Sequence, residues 1–160
     1  MKRILILSLC LAMYMSGSAL ASGCYTPIES EAEQGIRIHS ELMVIGLNCA
    51  HMADSEGNNL YVAHSQFTKK HENLFARYED ILKEYMRKNG TKNTEAALHT
   101  LRTEFANKIS VDAAKMRPDI FCKTYAERIS KVASMDENTL RKWAATPFKG
   151  HPVSQPICEH

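Results

Sequence analysis

The stretch TPIESEAEQGIRIHSELMVIGLNCAHMA, Thr26 to Ala53, decides the fold class. Its first residues, Thr26, Pro27, Ile28 and Glu29, combine an N-cap hydroxyl, a proline at the first helical position and a glutamate at N3, so a helix starts here. From Ile28 onward, Ala32, Gly35, Ile36, His39, Leu42, Met43, Gly46, Cys49, Ala50 and Ala53 recur at spacings of three and four. They form one inward face and carry the helix to about Ala53. Glycine lowers helix propensity, yet Gly35 and Gly46 both fall on that face, where the missing side chain lets a neighbouring helix approach closely.

The same periodicity governs the rest of the chain. The polar segment DSEGNN, Asp54 to Asn59, reads as a turn. Asn58 or Asn59 then caps a helix that continues to about Lys88 and stops at Asn89-Gly90. Its seam is heptad-like, with Leu60, Phe67, Leu74 and Ile81 on one ridge and His64, His71, Tyr78 and Tyr85 on the next. A third helix starts near Asn93 or Thr94, turns Leu98, Leu101, Phe105, Ile109 and Met116 inward, and ends or kinks at Pro118. Phe121, Cys122, Tyr125, Ile129 and Val132 make a further stripe ending near Ala133. Ser134-Met135-Asp136-Glu137 is a second capping-box candidate ahead of a short helix that presents Leu140 and Trp143. No run alternates polar and apolar residues as a surface strand does. The expected fold is therefore all-α: an antiparallel up-down bundle of about four helices, a short C-terminal helix, and an irregular Pro-rich tail over residues 146–160.

Upstream, Lys2-Arg3, an apolar run from Ile4 to about Met15 and the small residues around Ala19 and Ala21 follow the pattern of a secretory signal peptide. Residues 1–21 are thus expected to be cleaved, leaving residues 22–160 as one helical domain of an exported protein, periplasmic or secreted. The apolar run falls short of the ~20 residues that span a bilayer. Removing it takes away two basic residues and no acidic ones, so 20 Lys and Arg against 18 Asp and Glu become 18 of each. A formally neutral chain gives no concentrated basic surface for nucleic acid or an anionic membrane.

Cys10 leaves with the leader, and Cys24, Cys49, Cys122 and Cys158 remain. An even number in an oxidising compartment implies two disulfides. Cys49 stands about 33 Å above Cys24 along a rising first helix at 1.5 Å per residue, so those two do not pair. An up-down course returns Cys122 to the level of Cys49 and the tail to the level of Cys24. The pairing that brings Cα atoms within ~7 Å is therefore Cys49 with Cys122 and Cys24 with Cys158. The competing reading, a lipid anchor on Cys24 of LASGC, strands an odd thiol and is disfavoured.

Other motifs are weaker. Cys49-Ala50-His51 and Cys158-Glu159-His160 supply the ligand types of a Cys2His2 zinc site, but helical residues two apart diverge by ~200°. His39, His64 and His71 lie on inward faces, which makes a haem- or metal-binding carrier an alternative function. Yet His64 and His71 are ~10.5 Å apart along one helix and no Cys-x-x-Cys-His motif occurs, so locally hydrogen-bonded histidines are the favoured reading. Asn89-Gly90-Thr91 fits an N-glycosylation acceptor in a eukaryotic secretory route. No nucleophile elbow, Gly-rich phosphate loop or His-Glu-x-x-His helix occurs; no catalytic residue or cofactor is assigned, and a hydrolase with a spatially assembled site is a further alternative. The expectation is a non-enzymatic exported helical protein that supports the envelope or binds a partner protein or small apolar ligand, with Leu140, Trp143 and Phe148 as its contact surface.

Overall fold

The computed structural model describes residues 23–54 and 56–159; the expected signal peptide, with Cys10, lies outside the described residues. The chain is all-α. Its helices are α1 (Pro27–Asn48), α2 (Leu60–Lys70), α3 (Glu72–Lys88), α4 (Thr94–Lys115), α5 (Pro118–Tyr125), α6 (Glu127–Ala133) and α7 (Glu137–Ala144). Among the described residues, no helix is long and apolar enough to cross a membrane.

Local chemistry sets most helix starts. The Thr26 hydroxyl accepts from the Glu29 N–H and the Glu29 carboxylate accepts from the Thr26 N–H at 2.7 Å, completing the capping box of α1. Asn59 caps α2 and Asn93 caps α4, each through its side-chain oxygen. Asp136 caps α7, its carboxylate accepting from the Thr139 N–H at 2.7 Å. Ser134, expected in that role, instead bonds back to the Lys131 carbonyl as α6 ends.

Three boundaries differ from the sequence expectation. Helix α1 stops at Asn48 rather than Ala53, because Cys49 is tied sideways to Cys122 and the chain turns there, with the Met52 N–H bonded to the Cys49 carbonyl at 2.9 Å. The expected long second helix is interrupted at His71, whose φ of −113° and ψ of 19° leave the helical region. The interruption lets α2 pack on α6 while α3 packs on α4. The stripe after Pro118 is likewise divided at Ala126, where the Ile129 N–H reaches back only three residues, to the Ala126 carbonyl.

Helix α1 is the axis of the molecule and touches each of the other six helices. From Glu31 to Gly46 only Met43 is exposed and His39 half-buried; every other residue is buried. The apolar part of this enclosure is Ala32, Ile36, Ile38, Leu42, Val44 and Ile45, packed with Leu60, Phe67, Leu74, Tyr78, Leu82, Phe105, Phe121 and Ile129. Gly35 permits the closest approach, since a Cβ there would overlap the Tyr78 ring.

The four cysteines among the described residues form two disulfides. Cys49 and Cys122 join the end of α1 to α5 with Cα atoms 5.5 Å apart, and Cys24 and Cys158 join the start of α1 to the tail at 5.1 Å. Beside the second bond, the Tyr25 N–H donates to the Pro156 carbonyl and the Cys158 N–H donates to the Tyr25 carbonyl. The tail therefore folds back along α1 instead of trailing into solvent.

Candidate functional site

Enclosing a helix on all sides is costly when its sequence carries Glu31, Glu33, Gln34, Arg37, Ser40 and Glu41, all of them buried. The tail and α7 meet most of that cost with hydrogen bonds. Glu33, wholly buried, accepts from the Tyr25 hydroxyl at 2.8 Å, from the Ser154 N–H at 2.8 Å and from the Ser154 hydroxyl. Burial, with Glu33 nearby, pushes the Tyr25 hydroxyl well above the usual phenol range. Arg37 pairs with Glu33 one turn away at 3.3 Å, donates to the Pro152 carbonyl at 2.8 Å and lies over the Phe105 ring. Gln34 donates to the His151 carbonyl at 2.7 Å. On another side, Glu31 accepts from the Tyr78 hydroxyl at 2.8 Å and from Arg141 Nε at 2.7 Å.

One region of this polar face is left incomplete. A cavity of about 400 Å³ opens between α1, α6, α7 and the tail. Its apolar walls are Ile38, Met135, Trp143 and Phe148, and its polar groups are Gln34, Arg37, Glu41, Arg128, Lys131 and His151. Arg128 lies 3.5 Å from Oε2 of Glu41 and stacks over the Tyr125 ring. Oε1 of Glu41 stands 3.1 Å from Nδ1 of His151, but the two are not aligned as a hydrogen bond. Among the described residues, the buried side-chain atoms without any hydrogen-bond partner are Arg37 Nε, Glu41 Oε1 and His151 Nδ1, and all three belong to residues of this one cavity. Unsatisfied buried polar atoms are uncommon and costly; these three are enclosed behind the cavity wall, two of them facing each other as the Glu41–His151 pair.

The residues that sequence suggests as a contact surface separate here. Trp143 is half-buried and lines the cavity, and Phe148 is exposed at the same place. Leu140 is wholly buried and belongs to the core rather than to any surface. The turn that carries Phe148 back to His151 is closed by the His151 N–H bonding the Phe148 carbonyl at 3.0 Å. Lys108 donates to the Gly150 carbonyl within that turn. Met135 is fixed through its carbonyl, which accepts from Lys70 at 2.8 Å and from Nε2 of His71 at 3.2 Å. A carbonyl only accepts, so His71 carries its proton on Nε2.

The three inward histidines do not converge. His39 and His64 adjoin, with ring centroids 5.4 Å apart and the Thr68 hydroxyl between them at 3.2 and 3.5 Å. His71 turns away to the loop before α7. Burial holds the His39 imidazole down at about 4, and lowers His64 and His71 below the usual imidazole range. Among the described residues, no group of three or more His, Cys, Asp or Glu side chains is arranged to hold a metal ion. Cys49 and Cys158, the thiols of the two Cys-x-His pairs, are bonded in disulfides, as is Cys24. Asn89 is exposed at the end of α3, its side-chain amide turned back onto the Tyr85 carbonyl.

Of the residues that line this cavity, sequence reasoning singles out Trp143 and Phe148 and not Glu41, Arg37, Arg128 or His151. The available signal was the i, i+4 series Glu33, Arg37, Glu41, which places alternating charges along one stripe of a helix; such a stripe ordinarily faces water, and only the returning tail encloses it. Protein-family models, curated proteins and solved structures were compared with the chain, and none matches.

Proposed function

We propose that this chain is an exported, non-enzymatic binding protein, periplasmic or secreted, and that its site is the cavity between α1, α6, α7 and the tail. The occupant is a small molecule with an apolar body and a polar head. The observation that carries this reading is one partly open space that joins four apolar walls, Ile38, Met135, Trp143 and Phe148, to polar and charged side chains of α1, α6 and the tail. A cavity of this size and mixed lining is typical of small-molecule sites. Two disulfides support an oxidising, non-cytoplasmic setting. Binding rather than turnover is favoured because, among the described residues that line the cavity, none carries a hydroxyl or thiol. Ser154, the tail hydroxyl nearest in sequence, is committed to Glu33 and Tyr25.

Trp143 is the chain's one tryptophan and lines the cavity, so its emission reports occupancy directly. Titration with 2-phenylethanol and 1-hexanol is expected to shift that emission saturably, and the heat of binding, read by calorimetry, is expected to vanish in Ile38→Trp, where the added ring fills the space. A flat response to both alcohols and to their charged analogues would remove the cavity as a binding site.

A further inference from the structure

The two disulfides lie in different surroundings. Cys49 and Cys122 are 0 % and 1 % exposed and belong to the apolar core, so a reductant reaches their sulfurs only when α1 and α5 part. Cys24 and Cys158 are each only partly buried. Exposed Ile157 and Glu159 flank the one, and Gly23, where an added Cβ would find nothing within 4 Å, adjoins the other. The segment that this outer bond secures has little apolar hold of its own. Between Phe148 and Ile157, both exposed, Val153 is the one hydrophobic residue packed against the core. The rest of its attachment to α1 is polar. The Tyr25 N–H donates to the Pro156 carbonyl, the Cys158 N–H to the Tyr25 carbonyl and the Ser154 N–H to Glu33, while Gln34 and Arg37 donate to the carbonyls of His151 and Pro152. Bonds of this kind are each worth little net of the water bonds they replace, so a segment held by them alone opens readily.

We infer that the Cys24–Cys158 bond is a redox site, opened selectively by a dithiol reductant, and that its opening lifts the tail from α1 while the helical core stays folded. The step is thiol–disulfide exchange. One thiolate of the reductant attacks a sulfur of the bond, joins it as a mixed disulfide and expels the other cysteine as a thiolate. The reductant's second thiol then displaces the remaining cysteine and closes into a disulfide of its own. Two electrons pass to the protein, and the two protons of the dithiol end on Cys24 and Cys158. With the tail lifted, Glu33 and Arg37 meet water as an ion pair one turn apart, so the open form holds no stranded charge. The seven helices remain joined by the Cys49–Cys122 bond and by the apolar contacts of α1. This opening does not depend on what the cavity holds.

The test treats the native, disulfide-bonded protein with dithiothreitol and samples it over time by alkylation with iodoacetamide and peptide mapping. Cys24 and Cys158 are expected to be labelled together and at least about tenfold faster than Cys49 and Cys122, since an enclosed bond reacts only through opening of the core. Hydrogen–deuterium exchange in the same reductant, before the second bond opens, is expected to speed by at least about tenfold over the peptides holding Tyr25, Ser154 and Cys158 and to stay unchanged over Leu42 to Ile45. Cys24→Ser/Cys158→Ser is expected to show the fast pattern with no reductant; the wild-type series decides the matter if that variant does not fold. Equal labelling of all four cysteines, or Cys49 and Cys122 first, overturns the selective opening. Selective labelling with the tail amides as protected as in the oxidised protein overturns the release of the tail. Loss of protection through α1 at the same time overturns it likewise, because the bond is then a staple of the whole fold.

Discussion

Gly35 is the position at which a single added carbon does the most harm. Its backbone lies under the Tyr78 ring, whose hydroxyl is in turn held by Glu31. The ring cannot tilt away without breaking a buried hydrogen bond, so overpacking is not relieved by rotation. Gly35→Ala is expected to lower unfolding free energy by about 1–3 kcal/mol despite alanine's better helix propensity. Urea denaturation measures this, and an unchanged or raised midpoint would show that the ring yields. Glu33 is the second sensitive residue, because three donors and Arg37 converge on its buried carboxylate. Glu33→Leu takes away the charge opposite Arg37 and the acceptor of the Ser154 N–H, leaving Arg37 only the Pro152 carbonyl and the Tyr25 and Ser154 hydroxyls only each other, and is expected to cost about 3–5 kcal/mol. Replacing Arg37 by Met in the same chain should recover part of that loss, because an apolar pair in place of a buried ionic one is often near neutral.

Among the elements, the seam between α1 and α2 carries a pH dependence. His39, His64 and His71 are all held below their unfolded value by burial, so the unfolded chain binds protons more readily than the folded one. Stability from these groups is complete above about pH 6.5 and falls as pH drops toward the His39 value of about 4. His39 alone contributes up to about 3 kcal/mol across that window. Thermal melts at pH 7.5 and pH 5 are expected to show a drop in the wild type that a His39→Gln/His64→Gln chain largely lacks. Equal drops in the two proteins would assign the acid sensitivity elsewhere.

Element boundaries also show what was legible in the sequence. Helix starts were readable because they are local: Thr26 with Glu29, Asn59 and Asn93 each need only their own next three or four residues. The interruptions at His71 and Ala126 were not. Neither residue is a helix breaker, and the break at His71 goes with a carbonyl 64 positions away, on Met135. Likewise the inward face of α1 was readable, since Ala32, Ile36, Leu42 and Cys49 repeat helically and are buried. The burial of Glu33, Arg37 and Glu41 was not readable, because it depends on where residues 151–154 settle. The candidate cavity lies on that unreadable side, and this is why its charged lining could not be placed from the sequence.

For the molecule as a whole, the two disulfides have different jobs. The Cys24–Cys158 bond spans 134 positions and the Cys49–Cys122 bond 73, so opening either is expected to cost about 2–4 kcal/mol by freeing the unfolded chain. Their effects on the cavity should diverge. Cys24→Ser/Cys158→Ser loosens the tail that carries Phe148 and His151, and ligand-induced change in Trp143 emission should weaken. Cys49→Ser/Cys122→Ser lowers stability at the far end of α1 and should leave that response near wild type. The same loss in both variants, measured well below their unfolding midpoints, would deny the tail its separate role.

The return of the tail to the start of α1 also governs when this protein can assume its shape. Arg37 and Glu33, on the first helix, obtain partners from Pro152 and Ser154, 115 and 121 positions later in the chain. A nascent chain that has not yet reached residues 152–154 lacks these partners for the charged groups of its central helix. The native setting of α1 thus becomes accessible only once residues 152–154 have been made, so the first helix waits for its enclosure long after its own residues are joined.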